Sequence, residues 1–390
     1  MSSTGIFLDA HATTPIAKEA LSALVTQLGQ PGNPHSPHAA GAVAHEAIET
    51  ARKAVAELIG AAPGEIVFTS GATEANNIAI IGLARASRHK SSRRTIVTSA
   101  IEHPSVLEAS EALTKEGFTH LIAPVGEDGR LDLDAFGNMV GDDVLLVSVM
   151  AANNVSGIIQ PVQEVAAIAR AAGAMIHCDA AQAGGRLALD VFDLDVDLLS
   201  LSAHKMYGPP GVGALYVSAA IPTRPDPIVF GGGQEQGLRS GTAPAGLIAA
   251  FGVAARLALA QREEDALRLA TLTNRFTAGL EALQVRYRRI GTDDRRLPGS
   301  LNIAFDNCDA QELTERLSTI VAISTGSACS SGQISTSPVL DAMRLPQSLK
   351  RSSVRICFNR YSTEADADNS ALALSRALRE IEVATGSIAQ

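Results

Sequence analysis

The feature that most constrains the fold is a repeated unit of a short apolar strand, a loop of small residues and an amphipathic helix. One unit begins at Ile66–Thr69 and continues through Ser70-Gly71-Ala72-Thr73 into a helical stretch. Another begins with an apolar strand at 144–150 and continues into a helix that ends before Gly173, a residue suited to the position after a helix. Further buried strands are predicted at 174–179, Leu198–Ser202 and Gly213–Val217. The alternation predicts an α/β fold with a mainly parallel sheet, helices on its faces and ligands at the carboxyl ends of its strands.

The last third of the chain departs from this pattern. After a helix predicted at 44–59 and a long one at about 243–283, helices mix with strands at Ser300–Phe305 and 353–358. A chain of 390 residues is long enough for two or three domains. We therefore predict a large domain over 15–258 and a smaller α+β domain over 259–390, which also takes in the segment 1–14.

Composition excludes several classes of function. With 32 Lys and Arg against 41 Asp and Glu, the formal net charge is −9, which disfavours nucleic acid as a partner. We expect no membrane span, because no uncharged apolar run approaches about 18 residues, and the start of the chain lacks a signal-peptide pattern. The four cysteines show no disulfide spacing, which predicts a reducing, cytoplasmic setting. His35 and His38 have no acid nearby to support a metal, so no metal site is predicted.

Two charged residues follow predicted strands directly. Asp179 ends the strand at 174–179, and a carboxylate there needs a cationic partner unless it only caps a helix. Lys205 follows Leu198–Ser202. A surface lysine is the commoner case, but a lysine in a dry pocket has a lowered pKa and can form a Schiff base.

Two loops could hold a phosphate. Ser70-Gly71-Ala72-Thr73 opens a helix, where free N–H groups and hydroxyls meet the helix dipole, although a plain capping turn is equally compatible. The glycine-rich loop at 231–242 ends in Ser240-Gly241-Thr242; a flexible surface loop is its alternative. A lysine, an acid on a neighbouring strand and a phosphate cradle together describe a site for pyridoxal 5′-phosphate (PLP).

The cysteines differ in their surroundings. Cys178 and Cys357 are flanked by apolar strand residues and are predicted to be buried, whereas Cys308 is predicted to be an exposed loop thiol. Cys329 lies in a loop of small and polar residues, Ser324-Thr325-Gly326-Ser327-Ala328-Cys329, with little apolar sequence to bury it. An accessible thiolate in such a loop could act as a nucleophile.

At this point the chain resembles the cysteine desulfurases, PLP-dependent enzymes of the class V aminotransferase type with the fold of the aspartate aminotransferases. The resemblance runs nearly end to end, and four motifs carry it: Thr69-Ser70-Gly71-Ala72-Thr73-Glu74, Ser202-Ala203-His204-Lys205, Arg239-Ser240-Gly241-Thr242 and Gly326-Ser327-Ala328-Cys329. The last motif is similar to that of the nitrogen-fixation and iron–sulfur-assembly desulfurases.

The resemblance implies a role for each matching residue. Lys205 would form the Schiff base, Asp179 would pair with the pyridinium nitrogen, Gln182 would bond the phenolic oxygen and His103 would stack on the ring. The phosphate would be held by Ala72, Thr73, Ser202 and His204, with Thr242 supplied by the second subunit of a homodimer. Asn154 and Arg355 would hold the substrate carboxylate, and Asn154 would also contact the cofactor. The amine of Lys205 or the imidazole of His103 would handle the Cα proton, and Cys329 would accept the sulfur of L-cysteine as a persulfide.

Some residues depart from the family pattern. Asn153-Asn154 is followed by Val155-Ser156 instead of an acid, and Ala151-Ala152 stand where a His-Val pair is common. These departures affect local substrate contacts. The stretch after Cys329 is also shorter than in the housekeeping members that the chain resembles, which use it to dock the cluster scaffold, so the sulfur-acceptor protein is open, and iron–sulfur cluster assembly and another thio-cofactor pathway are both compatible. The alternatives are a selenocysteine lyase, another class V PLP-dependent enzyme of the aminotransferase type, and a non-catalytic binding module. Retention of both Lys205 and Cys329 disfavours the last.

Overall fold

The computed structural model describes residues 5–292, 294–325 and 337–384. Its strands are β1 (Ile6–Phe7), β2 (Ile66–Thr69), β3 (Thr95–Ser99), β4 (Thr119–Ala123), β5 (Val144–Ser148), β6 (Met175–Asp179), β7 (Leu198–Ser202), β8 (Gly213–Val217), β9 (Tyr287–Arg289), β10 (Ser300–Phe305), β11 (Val321–Ala322), β12 (Ser324–Thr325) and β13 (Ser353–Cys357). Its α-helices are α1 (Lys18–Leu28), α2 (Ala39–Leu58), α3 (Ala72–Asn77), α4 (Leu83–Ser87), α5 (Pro104–Ala112), α6 (Leu133–Gly137), α7 (Val162–Ala171), α8 (Ala245–Ala282), α9 (Ala310–Leu317), α10 (Pro338–Ala342), α11 (Gln347–Ser352) and α12 (Glu364–Ala384).

The largest sheet has the strand order β2-β8-β7-β6-β5-β3-β4. Its pairings are parallel except for those of β8, which runs antiparallel to both β2 and β7. Successive residues of these strands alternate between two apolar clusters: Leu146 and Leu198 pack with α3 and α5, whereas Val147 and Leu199 pack with α2, α7 and α8. Burial on both faces explains why these strands are continuous apolar runs, and it confirms the predicted α/β class with a mainly parallel sheet.

A second sheet, of order β12-β13-β10-β9, is antiparallel, and β1 pairs in parallel with β11. This part of the chain has its own apolar cluster, which combines β10 and β13 with α9, α12 and the second half of α8. Leu8, next to β1, belongs to the same cluster. Helix α8 therefore joins the two regions: Ala258 packs in the core under the large sheet, called the first core, and Leu269 packs in the core of the second sheet, called the second core. The domain limits themselves stay a prediction.

Helix α8 is long and apolar enough to cross a membrane by length and composition, since its most apolar window has a mean hydropathy of 1.2. It packs along α1, α2 and α12, however, and Phe251 and Phe276 on it are fully buried. Contact with α2 is so close that a Cβ on Gly252 would lie 2.5 Å from the Cα of Ala51. These contacts are those of a core helix.

The cysteine predictions are confirmed for two residues and wrong for a third. Cys178 and Cys357 are fully buried, as expected from their apolar strands. Cys308 is only 8% exposed and packs in the second core, not in an open loop. Its neighbour Asn307 has a left-handed backbone (φ 53°), and Asp309 caps α9 by accepting the N–H of Gln311 at 2.8 Å. The polar neighbours therefore face outward while the thiol turns inward, and burial raises the pKa of Cys308 to about 12.

Candidate active site

A cavity of about 490 Å³ opens at the carboxyl ends of β6 and β7 and beside the start of α3. That volume lies in the range of small-molecule sites. The cavity brings together ten of the residues predicted from the sequence: Ala72, Thr73, His103, Asn154, Asp179, Gln182, Ser202, His204, Lys205 and Arg355. These residues come from segments up to 283 positions apart. The carboxyl ends of strands in the large sheet bring most of them together at one edge, and Arg355 joins them from β13 of the second sheet.

Lys205 lies in a short 3-10 turn directly after β7. Its Nζ donates to the backbone carbonyls of His11 and Ala12, the latter at 2.9 Å. Burial, together with the charges of Arg355 and Arg186, lowers the pKa of Lys205 to about 8. Near neutral pH the free amine, which is the state that can attack a carbonyl, is therefore a far larger fraction than in an ordinary lysine.

Asp179 ends β6 and is 5% exposed. Its carboxylate accepts the amide of Asn76 at 2.8 Å and the N–H of Ala181 at 2.9 Å. No cationic side chain among the described residues forms an ion pair with it. A buried carboxylate that lacks a protein cation and lines a cavity suits a protonated ring nitrogen of a ligand.

The cradle predicted for a phosphate is present at the start of α3. Gly71 has φ 155°, and a Cβ there would meet only the Oγ of Ser202, at 4.0 Å, so the space in front of it is open. Ser202 and Thr73 bring hydroxyls to the same cavity. Burial, with the charge of Lys205, lowers the pKa of His204 to about 4, so its imidazole is neutral and can donate from one nitrogen. Neutral donors at a helix start are typical of phosphate sites.

Gln182 and His103 line the same cavity as Asp179 and Lys205. The amide of Gln182 donates to the carbonyl of His11 at 2.9 Å, and its Oε1 is buried without a partner among the described residues. His103 is the N-cap of α5, where its Nδ1 accepts the N–H of Ser105 at 3.1 Å. Burial lowers the pKa of His103, which keeps the ring neutral. The lysine, the carboxylate that pairs with no cation among the described residues and the open cradle fit PLP.

Arg355 approaches the cavity from β13. Its guanidinium donates to Asp9 at 2.7 Å and to the carbonyl of Asn154 at 3.0 Å, and its Nε is buried without a partner among the described residues. The same carbonyl accepts the Nδ1–H of His11 at 3.0 Å. These contacts fix the cation at the edge of the cavity, where a carboxylate could bind.

Two further residues of the predicted site remain, and the structure describes one of them. Thr242 is exposed and does not line this cavity. Cys329 lies outside the described residues, so its place relative to Lys205 stays a prediction.

Sequence reasoning missed several residues that shape the cavity. His11 and Ala12 supply the acceptors of Lys205, and Thr14 links the same segment to the turn by donating to the carbonyl of His204 at 2.9 Å. The motif Ala12-Thr13-Thr14-Pro15 was the available signal, but backbone carbonyls leave no mark on residue type. Asn76 was missed because its partner Asp179 is 103 positions away.

The chain belongs to the class-V aminotransferase family, which matches residues 6–369. Among individual proteins, it is 41% identical to the cysteine desulfurase IscS of Anaeromyxobacter sp. (strain Fw109-5) over 93% of this chain and 90% of that one. It is also 41% identical to the mitochondrial cysteine desulfurase of Saccharomyces cerevisiae, over 96% of this chain and 76% of the yeast protein.

A solved structure titled a NifS-like protein shares the fold. It superposes with a TM-score of 0.89 at 33% identity and covers 96% of this chain and all of that one. The resemblance read from the motifs is thereby confirmed at the level of the family and the fold.

Proposed function

We propose that the protein is a PLP-dependent cysteine desulfurase that converts L-cysteine to L-alanine and transfers the sulfur to Cys329. One observation carries the proposal: Lys205, with its lowered pKa, and Asp179, which pairs with no cation in the described part of the chain, share a cavity with an open cradle at the start of α3. The similarity to named cysteine desulfurases over more than nine tenths of the chain supports this choice within the family.

PLP, when bound, supplies an aldehyde that condenses with amines and a ring that accepts an electron pair from Cα. Lys205 anchors the aldehyde and Asp179 keeps the ring nitrogen protonated. Ala72, Thr73, Ser202 and His204 hold the phosphate, Gln182 bonds the phenolic oxygen, and His103 covers the ring. Asn154 contacts both the cofactor and the substrate, and Arg355 binds the substrate carboxylate.

The sulfur step balances without an external oxidant. The thiolate of Cys329 attacks the substrate sulfur and forms an S–S bond as the C–S bond breaks. The electron pair of that C–S bond stays on Cβ of the substrate, which takes up one proton. Cα regains the proton that it lost earlier, and the product leaves as alanine. Cys329 then carries a persulfide for an acceptor protein, in iron–sulfur cluster assembly or in another thio-cofactor pathway.

The working unit is a homodimer in the cytoplasm, with Thr242 reaching the phosphate of the partner's site. Thr242 is exposed and does not line the cavity of its own chain, which supports a site shared between two subunits. Phe230 beside the same loop is 82% exposed, and Leu21, Val25 and Leu28 lie exposed at intervals of four and three residues on α1. Exposed apolar side chains of this kind favour a covering subunit.

The second candidate is a selenocysteine lyase, or another class V enzyme, because the residues that hold the cofactor are compatible with each. The test is to reconstitute the protein with PLP, supply L-cysteine and a thiol reductant, and measure alanine and sulfide. A desulfurase forms both in equal amounts, and Cys329→Ala and Lys205→Ala each lose most of the rate. Turnover of selenocysteine but not cysteine would favour the lyase, and equal sulfide from Cys329→Ala would contradict the persulfide role.

A further inference from the structure

Four side chains beside the cavity form one hydrogen-bonded chain. The amide nitrogen of Asn76 lies 2.8 Å from a carboxylate oxygen of Asp179 and 2.9 Å from the Oγ of Ser105. That Oγ in turn lies 2.8 Å from the Nδ1 of His103. Asn76 is fully buried, and Asp179 and Ser105 are nearly so. Water therefore does not compete for these bonds, and their direction has chemical consequences.

The direction of every bond is fixed by what each group can do. A carboxylate only accepts, so Asn76 must present its NH₂ to Asp179, and the second hydrogen of the same NH₂ goes to Ser105. Ser105 then accepts through its oxygen and uses its own hydrogen to donate to His103. The backbone N–H of Ser105 donates to the same Nδ1 at 3.1 Å. Because Nδ1 receives two donors, the neutral ring carries its proton on Nε2.

We propose that Asn76 is a positioning residue that holds Asp179 with one N–H and, through Ser105, holds His103 in the form protonated on Nε2. This inference rests on the proposed function and deepens it. In this form the lone pair of His103 points at Ser105 and is occupied. His103 therefore offers a donor to the cavity and not a base. Of the two groups that could take the Cα proton of the substrate, the amine of Lys205 is the one whose lone pair is available.

The substitution Asn76→Asp tests this series of hydrogen bonds. It keeps the shape of the side chain and replaces the donating NH₂ with an oxygen that accepts. A carboxylate at position 76 accepts from Ser105, whose oxygen is then left to accept from the Nδ1 of His103. We expect the protein without PLP, labelled with ¹⁵N in its histidine rings, to show a proton on Nε2 of His103 in the wild type. In Asn76→Asp we expect a proton on Nδ1 and a higher pKa. The His103 signal is identified by its loss in His103→Gln.

Two further variants distinguish an effect carried by the hydrogen bonds through Ser105 from a general effect of the new charge at position 76. In Asn76→Asp with Ser105→Ala the link is cut, so the His103 signal should return towards that of the wild type. Ser110→Ala is the matched control on α5, because its Oγ bonds only a carbonyl of its own helix, that of Val106. An unchanged His103 in Asn76→Asp, or an equal change in the double variant, would overturn the proposal.

The effect of the Asn76–Asp179 hydrogen bond is measured by the affinity for PLP. Asn76→Leu keeps a similar volume without a donor, and we expect PLP to bind about tenfold to a hundredfold more weakly, as for other bonds to a buried charge. Ser110→Ala should bind PLP as the wild type does. Wild-type affinity in Asn76→Leu would contradict this part. Since neither measurement uses cysteine, a protein that shows these signals but releases no sulfide would refute the proposed function alone.

Discussion

At the scale of single residues, the reactivity of the cavity depends on the positive charges around Lys205. Lys205 donates to two backbone carbonyls and, among the described residues, to no carboxylate, while Arg355 and Arg186 add positive charge nearby. Arg186 donates to the carbonyl of Ala10 at 3.0 Å and to the sulfur of Cys357 at 3.3 Å. These positive charges disfavour the protonated form of Lys205. Part of the reactivity of Lys205 therefore originates in Arg186, which does not line the cavity.

Replacement of Arg186 should make Lys205 less reactive near neutral pH. Arg186→Met removes one of the two cations that lower the pKa of Lys205, so the midpoint for its free amine should rise from about 8 by roughly one pH unit. The free fraction, and with it the labelling rate at pH 8, then falls. Labelling of the protein without PLP by an amine-selective reagent, followed by peptide mass mapping across pH 6 to 10, measures that midpoint. Arg186→Lys keeps the charge and should stay near the wild type; a midpoint unmoved by Arg186→Met would count against the electrostatic account.

The residues found from sequence share one property. Asp179 and Lys205 could be predicted because each directly follows a buried apolar strand, which leaves a polar side chain at the strand end little choice of place. His11, Asn76 and Arg186 could not, since their contacts depend on how distant segments meet in space. Cys308 was mispredicted for a related reason: polar neighbours suggested exposure, but one left-handed residue rotates the thiol into a core.

At the scale of elements, the glycine-rich loop is held in a set shape. Glu235 and Gln236 both have left-handed backbones, with φ of 45° and 60°. Arg52 on α2 donates to both carboxylate oxygens of Glu235 at 2.8 and 2.9 Å, and Phe68 donates its backbone N–H to one of them. Farther along, Arg239 donates to Glu74 of α3 at 3.0 Å. The loop that carries Thr242 is thus bonded to α3, the helix at whose start the phosphate cradle lies.

Loss of the cation in this buried pair should cost stability. Arg52→Met leaves Glu235 buried without its partner, and we expect unfolding in urea to show a loss of about 3–5 kcal/mol. Arg85→Met is the matched control, because it breaks a more exposed pair with Glu116 and should cost at most about 1 kcal/mol. Similar losses in the two variants would contradict the assigned role of the buried pair.

Sequence patterns located the elements well where burial is complete on both faces. Ile66–Thr69, Leu198–Ser202 and Gly213–Val217 match their predicted limits. They did not reveal that β8 runs antiparallel within the large sheet, because apolar content is the same for either direction. Nor did they reveal how tightly the loop at 231–242 is anchored, since Arg52 lies 183 positions before Glu235.

At the scale of the whole molecule, the chain joins two cores through α8, and the cavity draws residues from both regions. Arg355 comes from β13, while Lys205 and Asp179 follow strands of the large sheet. In the proposed homodimer the site also needs Thr242 of a second chain. A site shared between two chains predicts that two different variants can complement each other, which a site within one chain does not allow.

Two inactive variants should restore activity when they are combined. Thr242→Glu places a negative charge against the phosphate of the partner's site, and Lys205→Ala disables its own site. In a mixed dimer, the intact Lys205 of one chain meets the intact Thr242 of the other, so one of the two sites works. Mixing after mild unfolding and refolding should recover sulfide release to a substantial fraction of that of the wild type, and each variant refolded alone is the control. No recovery despite mixed dimers would place Thr242 at its own site, and full activity of Thr242→Glu alone would place it outside the site.

The central claim is that Cys329 takes sulfur from cysteine. A single turnover with L-cysteine, PLP-loaded enzyme and no reductant tests it most directly, with alanine counted and Cys329 examined by mass spectrometry of its peptide. We predict one alanine per active site and one added sulfur atom on Cys329, with no added sulfur in Lys205→Ala. Alanine formed in that amount while the Cys329 peptide stays unmodified would contradict the account.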